Sequence, residues 1–305
     1  MDTLSMLTLV VDQMSFMQNV VNPIFTGIDE GAVATFVKNS PTFIPIAGSI
    51  HLLALSLLGG AIILADLRVL GPGVTARTPA ELNRVMSPFL IGSIIFLIIS
   101  GIVLALGEMM RLYASPPYWI KMASLLSAII FTFAARDPVI RENGKFTPLA
   151  WVGLAVSMAI FWISWINLTD WFFGARQAYL VFILILLALV FAPKIVPADI
   201  KAKIVGLPVF VSVPAMVVVL FILSAAIFWL TGIDYMGEID MNGMGLGAWF
   251  QPKILGMMLL SFLFGLILYT GIGNSEHPLS MRLMSAISIF LWGSTAISGR
   301  WIAFW

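Results

Sequence analysis

Eight stretches of this 305-residue chain, at roughly 43–67, 88–112, 118–136, 148–169, 177–193, 207–231, 252–272 and 281–304, are each apolar over about the length that crosses a bilayer. Nothing else constrains the fold as strongly. In hydrocarbon every backbone amide must find its partner within the protein, which leaves helices or a closed barrel. The stretches lack the alternating pattern of a lipid-facing barrel strand, so they predict helices, with a β-barrel as the alternative. Composition agrees: 60% of residues are hydrophobic, 10% are charged and the mean hydropathy is +1.04. The expectation is an all-α polytopic bundle of about eight transmembrane helices.

The basic residues are shared unevenly between the two ends of these spans. After spans 1, 3, 5 and 7 come Arg68, Arg77, Arg84, Arg136, Arg141, Lys145, Lys194, Lys201, Lys203 and Arg282, ten in all. Six lie on the other side: Lys38, Arg111, Lys121, Arg176, Lys253 and Arg300. The positive-inside rule makes the first set cytoplasmic and directs both termini to the periplasm of a bacterial inner membrane.

Residues 1–42 have no basic leader followed by a compact apolar run and a cleavage site, so a removable signal peptide is not expected. Leu4, Leu7, Val11 and Met14 recur at helical spacing, which reads as an amphipathic segment on the outer surface, ended by Pro23. The alternatives are a partner-facing helix or a tail. Cysteine is absent, excluding disulfides, thiolate metal sites and cysteine nucleophiles.

The rest of the chain reads as two four-helix repeats, 43–170 and 177–305. Tyr118-Trp119-Ile120-Lys121-Met122 opens span 3 and Trp249-Phe250-Gln251-Pro252-Lys253 opens span 7. Trp162 and Ser164 are echoed by Trp292 and Ser294, and Pro88 and Pro214 are placed at the starts of spans 2 and 6. An even number of spans per repeat predicts a parallel duplication about the membrane normal. Coincidence among aromatic-rich helices is the alternative.

His51 is the first candidate for chemistry. It lies about eight residues into span 1, roughly 12 Å along a helix rising ~1.5 Å per residue, where an ionisable group needs a partner or a cavity. Gly48, His51, Leu55 and Gly59 share a face, and the two glycines are expected to allow a close helix approach. Arg300, Glu108 and Asp170 fall at comparable depth, so the four residues predict a polar pocket opening outward, with Arg300 pairing a carboxylate. A satisfied core histidine, a snorkelling arginine and solvated carboxylates are the bland alternative. Lys121 and Lys253 follow aromatics at span ends and read as interfacial anchors. Asp66 and Arg68, at the inner end of span 1, could pair with each other or with span 2; two residues apart they do not face one another on a helix, and they read as a helix-locking pair, with a transport gate as the alternative.

Two metal chemistries stay open. Met241 and Met244, with Met236, sit in the 232–250 loop, and thioethers favour Cu(I), although a glycine-rich connector accounts for the same residues. A b-type haem would need His51 with a methionine such as Met109 or Met110, or with a ligand from another subunit, because His277 falls in a loop at the opposite membrane face.

Ser49-Ile50-His51-Leu52-Leu53-Ala54-Leu55-Ser56-Leu57-Leu58-Gly59-Gly60, then Asp66-Leu67-Arg68-Val69-Leu70-Gly71, with Lys121-Met122 and Gly299-Arg300-Trp301-Ile302, resembles an uncharacterised family of bacterial polytopic inner-membrane proteins, a domain of unknown function. The resemblance runs through most of the chain. More distantly the chain is similar to copper-resistance protein D, whose helices also begin with a histidine and a glycine-containing apolar run. One departure stands out: the family pattern has a histidine near the cytoplasmic end of span 3, where this chain has Ala134-Ala135-Arg136. The first resemblance implies no activity, and the second implies copper handling.

No P-loop, GxSxG, HExxH or dinucleotide fingerprint is present, so no catalysis of its own is expected. The sequence leaves three readings: transport or copper handling at an outward polar site, a haem-bearing electron-transfer subunit, and a structural or assembly subunit. The expected partners are the lipid bilayer and, in some of these readings, a second copy or other membrane subunits. No nucleic acid is expected.

Overall fold

A computed structural model of the chain describes residues 15–71, 76–166 and 277–302, with the isolated positions 190, 191, 199 and 218. Every regular element among them is helical. From residue 15 the described chain is helical, with a π-helical segment, Met17–Val21, that continues as α1 (Asn22–Asp29), followed by α2 (Ala32–Asn39). Then come α3 (Phe43–Leu70), α4 (Pro79–Gly107), the short α5 (Met109–Tyr113), α6 (Pro116–Arg141), α7 (Pro148–Ile166) and α8 (Leu279–Trp301). Four of these, α3, α4, α6 and α8, are long and apolar enough to cross a membrane. They coincide with expected spans 1, 2, 3 and 8, and α7 occupies most of span 4. Expected spans 5 to 7, and with them the proposed duplication, lie outside the described residues.

Two sequence expectations need correction. Pro23 does not end the N-terminal helix, which runs through it into α1. Nor does Pro88 start the second span: it lies inside α4, which begins nine residues earlier at a capping box. There the Glu81 amide donates to Thr78 Oγ1 at 3.3 Å, and Glu81 Oε2 accepts from the Thr78 amide at 3.1 Å.

Proline instead marks the two π-helical segments. Pro23 follows Met17–Val21, and Pro138 follows Phe131–Arg136 within α6. Proline has no amide hydrogen and its ring crowds the carbonyl one turn back, and an extra residue in the preceding turn relieves that crowding.

In the bundle α3 packs along α4, α8 packs against both α6 and α3, and α7 packs along α6, with its Phe161 ring edge-on to Phe290 of α8 at 5.3 Å. The core is built from Ala54, Leu58, Ala61 and Ile62 of α3, Leu90, Ile94 and Leu97 of α4, Leu125, Ala128 and Phe131 of α6, and Leu291 and Trp292 of α8. Contacts between helices are close and partly polar. A Cβ on Gly153 of α7 would lie 2.6 Å from the Ala134 Cβ and 2.9 Å from its carbonyl carbon. Trp292 Nε1 donates to Thr132 Oγ1 at 3.0 Å, and Ser127 Oγ donates to the Ser157 carbonyl at 2.6 Å. Small and hydroxylated residues let helix backbones approach where hydrophobicity gives no drive to associate. On the outside Leu52, Leu53, Phe96 and Ile99 are each more than half exposed, and together with the length of the helices this indicates a multi-pass membrane protein.

The N-terminal segment is held against one end of this bundle. Phe25 of α1 packs on Tyr113, Tyr118 and Trp119, and the Tyr113 hydroxyl donates to the Met17 carbonyl at 3.0 Å.

Candidate functional site

Two of the three ionisable residues of helix α3, His51 and Asp66, lie fifteen positions apart, about 22 Å along the axis at ~1.5 Å per residue. Helix α6 repeats the interval with Lys121 and Arg136. The two helices run in the same direction, and their long side chains meet at two stations inside the bundle.

At the first station the half-buried His51 ring lies between α4 and α6. Its Nδ1 is 3.0 Å from Ser100 Oγ, while the Ser100 hydroxyl donates to the Phe96 carbonyl at 2.6 Å. With that hydrogen committed, Ser100 oxygen accepts from Nδ1–H, which leaves the Nε2 lone pair to face Lys121 Nζ at 3.5 Å. Space for the ring comes from the partner helix. A Cβ on Gly101 would sit 3.3 Å from His51 Cε1, and one on Gly299 would sit 3.4 Å from Lys121 Cδ and Cε. Gly48 and Gly59, expected to allow the close approach, have nothing within 4 Å of where a Cβ would stand, so their flank of α3 is open.

The other sequence candidates are spread around this end. Glu108 caps the end of α4 and pairs with Arg111 at 2.7 Å on an exposed surface. Arg111 Nη2 also donates to the Ile302 carbonyl at 3.3 Å, which ties that pair to the end of α8 where the exposed Arg300 lies. Met109 is buried, and Met110 is exposed with its sulfur 3.7 Å from the Thr26 hydroxyl that donates to it. Asp170, Met241 and Met244 lie outside the described residues. Lys121, read as an anchor, turns inward to His51 instead.

At the second station Asp66 pairs with neither Arg68 nor span 2 but with Arg136 of α6. Arg136 Nε donates to Asp66 Oδ1 at 2.6 Å, with the two side chains 2% and 0% exposed. Arg136 Nη1 donates to Asn83 Oδ1 at 2.7 Å and to Asp137 Oδ1 at 2.6 Å. From α8 the Ser285 and Ser288 hydroxyls face the Asp66 carboxylate. Arg136 Nη2 is buried without a hydrogen-bond partner among the described residues. Beside it is a cavity of about 10 Å³, about the room for one water molecule, lined by Asn83, Ser87, Thr132, Arg136 and Asp137 with apolar residues. Arg68 is not Asp66's companion: its Nε donates to the Arg77 carbonyl at 2.7 Å and its Nη1 lies 3.1 Å from His277 Nε2. The signal that could have found this station is the equal spacing of His51 with Asp66 and of Lys121 with Arg136.

An intramembrane constellation of this kind belongs to a multi-pass membrane protein with polar groups inside its helix bundle. Residues 35–176 match a family of unknown function (DUF6644), a stretch that takes in α3, α4, α6 and α7 but not α8. No curated protein and no solved structure matches the chain.

Proposed function

We propose that this protein is a transport protein of the bacterial inner membrane that receives a small anion at the His51–Lys121 station. The observation that carries this reading is the 3.5 Å approach of two basic groups, Lys121 Nζ and His51 Nε2, within a bundle of apolar helices. Each isolated charge at that depth is costly against lipid and calls for a counter-group. An ammonium has three hydrogens to donate, and His51 takes one, so the others are available to an anionic ligand. A soft metal suits the station less well. The Nε2 lone pair it would need already faces an ammonium, whose charge opposes a bound cation, and the same holds for a haem iron. The basic-residue asymmetry supports an orientation in which this station faces the periplasm.

The test is solid-supported-membrane electrophysiology on proteoliposomes, with jumps of chloride, formate, acetate and phosphate. At least one anion should give a saturable current that Lys121→Met abolishes and His51→Gln reduces. No current with any of them from correctly inserted protein would overturn the reading. Stoichiometric copper in purified protein, lost in His51→Ala and kept in Lys121→Met, would restore metal handling in its place.

A further inference from the structure

We infer that the anion received at the His51–Lys121 station is a hydroxylated oxyanion, one that offers a charged oxygen to Lys121 and, beside it, a hydroxyl to His51. The 2-hydroxycarboxylates and the hydrogen phosphates share that chemistry. This substrate class rests on the reading of the station as an anion site. It follows from where the imidazole hydrogen sits, which the neighbours of the ring fix from both sides.

On one side Nδ1 lies 3.0 Å from Ser100 Oγ, whose own hydrogen goes to the Phe96 carbonyl at 2.6 Å. The Leu97 carbonyl, 3.4 Å from the same hydroxyl, is a further hydrogen-bond partner of the ring. A carbonyl only accepts, so the hydrogen of the neutral imidazole belongs to this side. On the other side Nε2 meets Lys121 Nζ at 3.5 Å, and an ammonium donates without accepting. Nε2 therefore carries the lone pair. That lone pair is only weakly engaged, since ordinary N–H hydrogen bonds measure roughly 2.7–3.2 Å.

The station thus presents one positive donor and one neutral acceptor side by side. Chloride, formate and acetate bring acceptors alone, and against Nε2 they set one lone pair on another. A neutral alcohol brings the hydrogen without the counter-charge that Lys121 calls for. No ion pair among the described residues includes Lys121; Glu108 and Asp29, at this end of the bundle, pair with Arg111 and Lys38. The two nitrogens are close enough for adjacent oxygens of one small ligand to meet both, in the manner of a bidentate contact. Both residues are only partly buried, and the neighbouring positions on α4 and α8 are the glycines Gly101 and Gly299.

The experiment measures half-saturating concentrations of the currents from proteoliposomes of the full-length protein at neutral pH, in two matched pairs. Glycolate and propionate differ by a hydroxyl in place of a methyl group; phosphate and sulfate differ in that only phosphate carries a hydroxyl. In at least one pair the hydroxylated anion should saturate at a concentration about tenfold lower, because its partner leaves the Nε2 lone pair unanswered. The pair that does so names the source, a 2-hydroxycarboxylate or a phosphate. His51→Phe removes the lone pair, and it should lower the currents and erase the difference within that pair. If that variant does not insert, Ser100→Ala, which frees the ring to carry its hydrogen on Nε2, should shrink the difference. A difference that survives the deciding variant unchanged would overturn the inference. Currents alike within both pairs, or stronger binding of propionate and sulfate, would overturn it too and leave the anion reading standing, whereas no current with any of the four would remove both.

Discussion

Arg136 reaches across the bundle to Asp66, and the 2.6 Å contact joins two spanning helices, α3 and α6, that are each packed on α8. Such a pair is not in itself a strong stabiliser, because desolvation of both charges offsets much of their attraction. Its value shows when one partner is removed and the other is left buried with an uncompensated charge.

Arg136→Met is therefore expected to destabilise the protein by about 3–5 kcal/mol, since Asp66 and Asp137 both lose their counter-charge, while Asp66→Leu costs less because Arg136 keeps Asp137 at 2.6 Å, and the double variant costs less than Arg136→Met alone. Melting temperatures in one detergent suffice to rank the three. A double variant worse than both singles would mean that the two residues contribute independently, and the pairing would lose its energetic meaning.

At the first station Gly101 makes the room that His51 occupies. Gly101→Ala adds a methyl group 3.3 Å from His51 Cε1, a contact a side chain must yield to by a few tenths of an ångström. Gly101→Leu cannot be accommodated that way and is expected to displace the ring from Ser100 and Lys121. Anion currents should be reduced in the first variant and lost in the second, with insertion intact by protease protection. Gly48→Leu is the control: nothing lies within 4 Å of its Cβ position, so activity should be retained.

Helices were legible in the sequence because apolar length is a strong signal in a chain that must satisfy its own backbone in lipid. Boundaries were less so. The Thr78-Pro79-Ala80-Glu81 capping box marks the start of α4 more reliably than Pro88, but it stands outside the apolar window that defined the span. Site residues divide the same way. His51 was evident as an ionisable group at depth. Lys121 was not, since an aromatic pair before a lysine is also how an interfacial anchor is written. The Asp66–Arg136 pair was hidden because its members are seventy residues apart, and only packing reveals that α3 and α6 present them at one level. Likewise no pattern on α3 says that the glycine serving His51 belongs to α4.

Orientation is open to a direct check. The ten-to-six distribution of basic residues predicts that reporters fused after residues 75, 142, 200 and 276 read as cytoplasmic. A periplasmic signal at two or more of them would reverse the assignment and place the Asp66 station, not the His51 station, nearest the periplasm.

Gly153 is expected to tolerate no side chain. Its Cβ would fall 2.6 Å from Ala134 Cβ and 3.1 Å from the Ala134 carbonyl oxygen, so a clash meets backbone and not a side-chain tip that can move aside. Gly153→Val should cost at least the 1–3 kcal/mol or so typical of overpacking, seen as a lower melting temperature, and Gly92→Val, at an open position, should not.

Pro138 offers the sharpest test of how α6 aims its arginine. Replacing a proline inside a helix with alanine ordinarily stabilises, because it restores an amide donor and removes the ring's clash, a gain of up to about 3 kcal/mol. Here the π segment Phe131–Arg136 ends just before Pro138 and carries Arg136 into register with Asp66, Asn83 and Asp137. If the proline is what holds that extra residue in the turn, Pro138→Ala lets the segment tighten to an α-helix. Each residue contributes about 100° of rotation in an α-helix of 3.6 residues per turn, so losing one residue from the turn swings Arg136 well away from Asp66. Pro138→Ala should then lower the melting temperature, and adding it to Arg136→Met should have little further effect. A higher melting temperature would mean that the π segment is set by the packing of Gly153 on Ala134, and that the proline merely follows it.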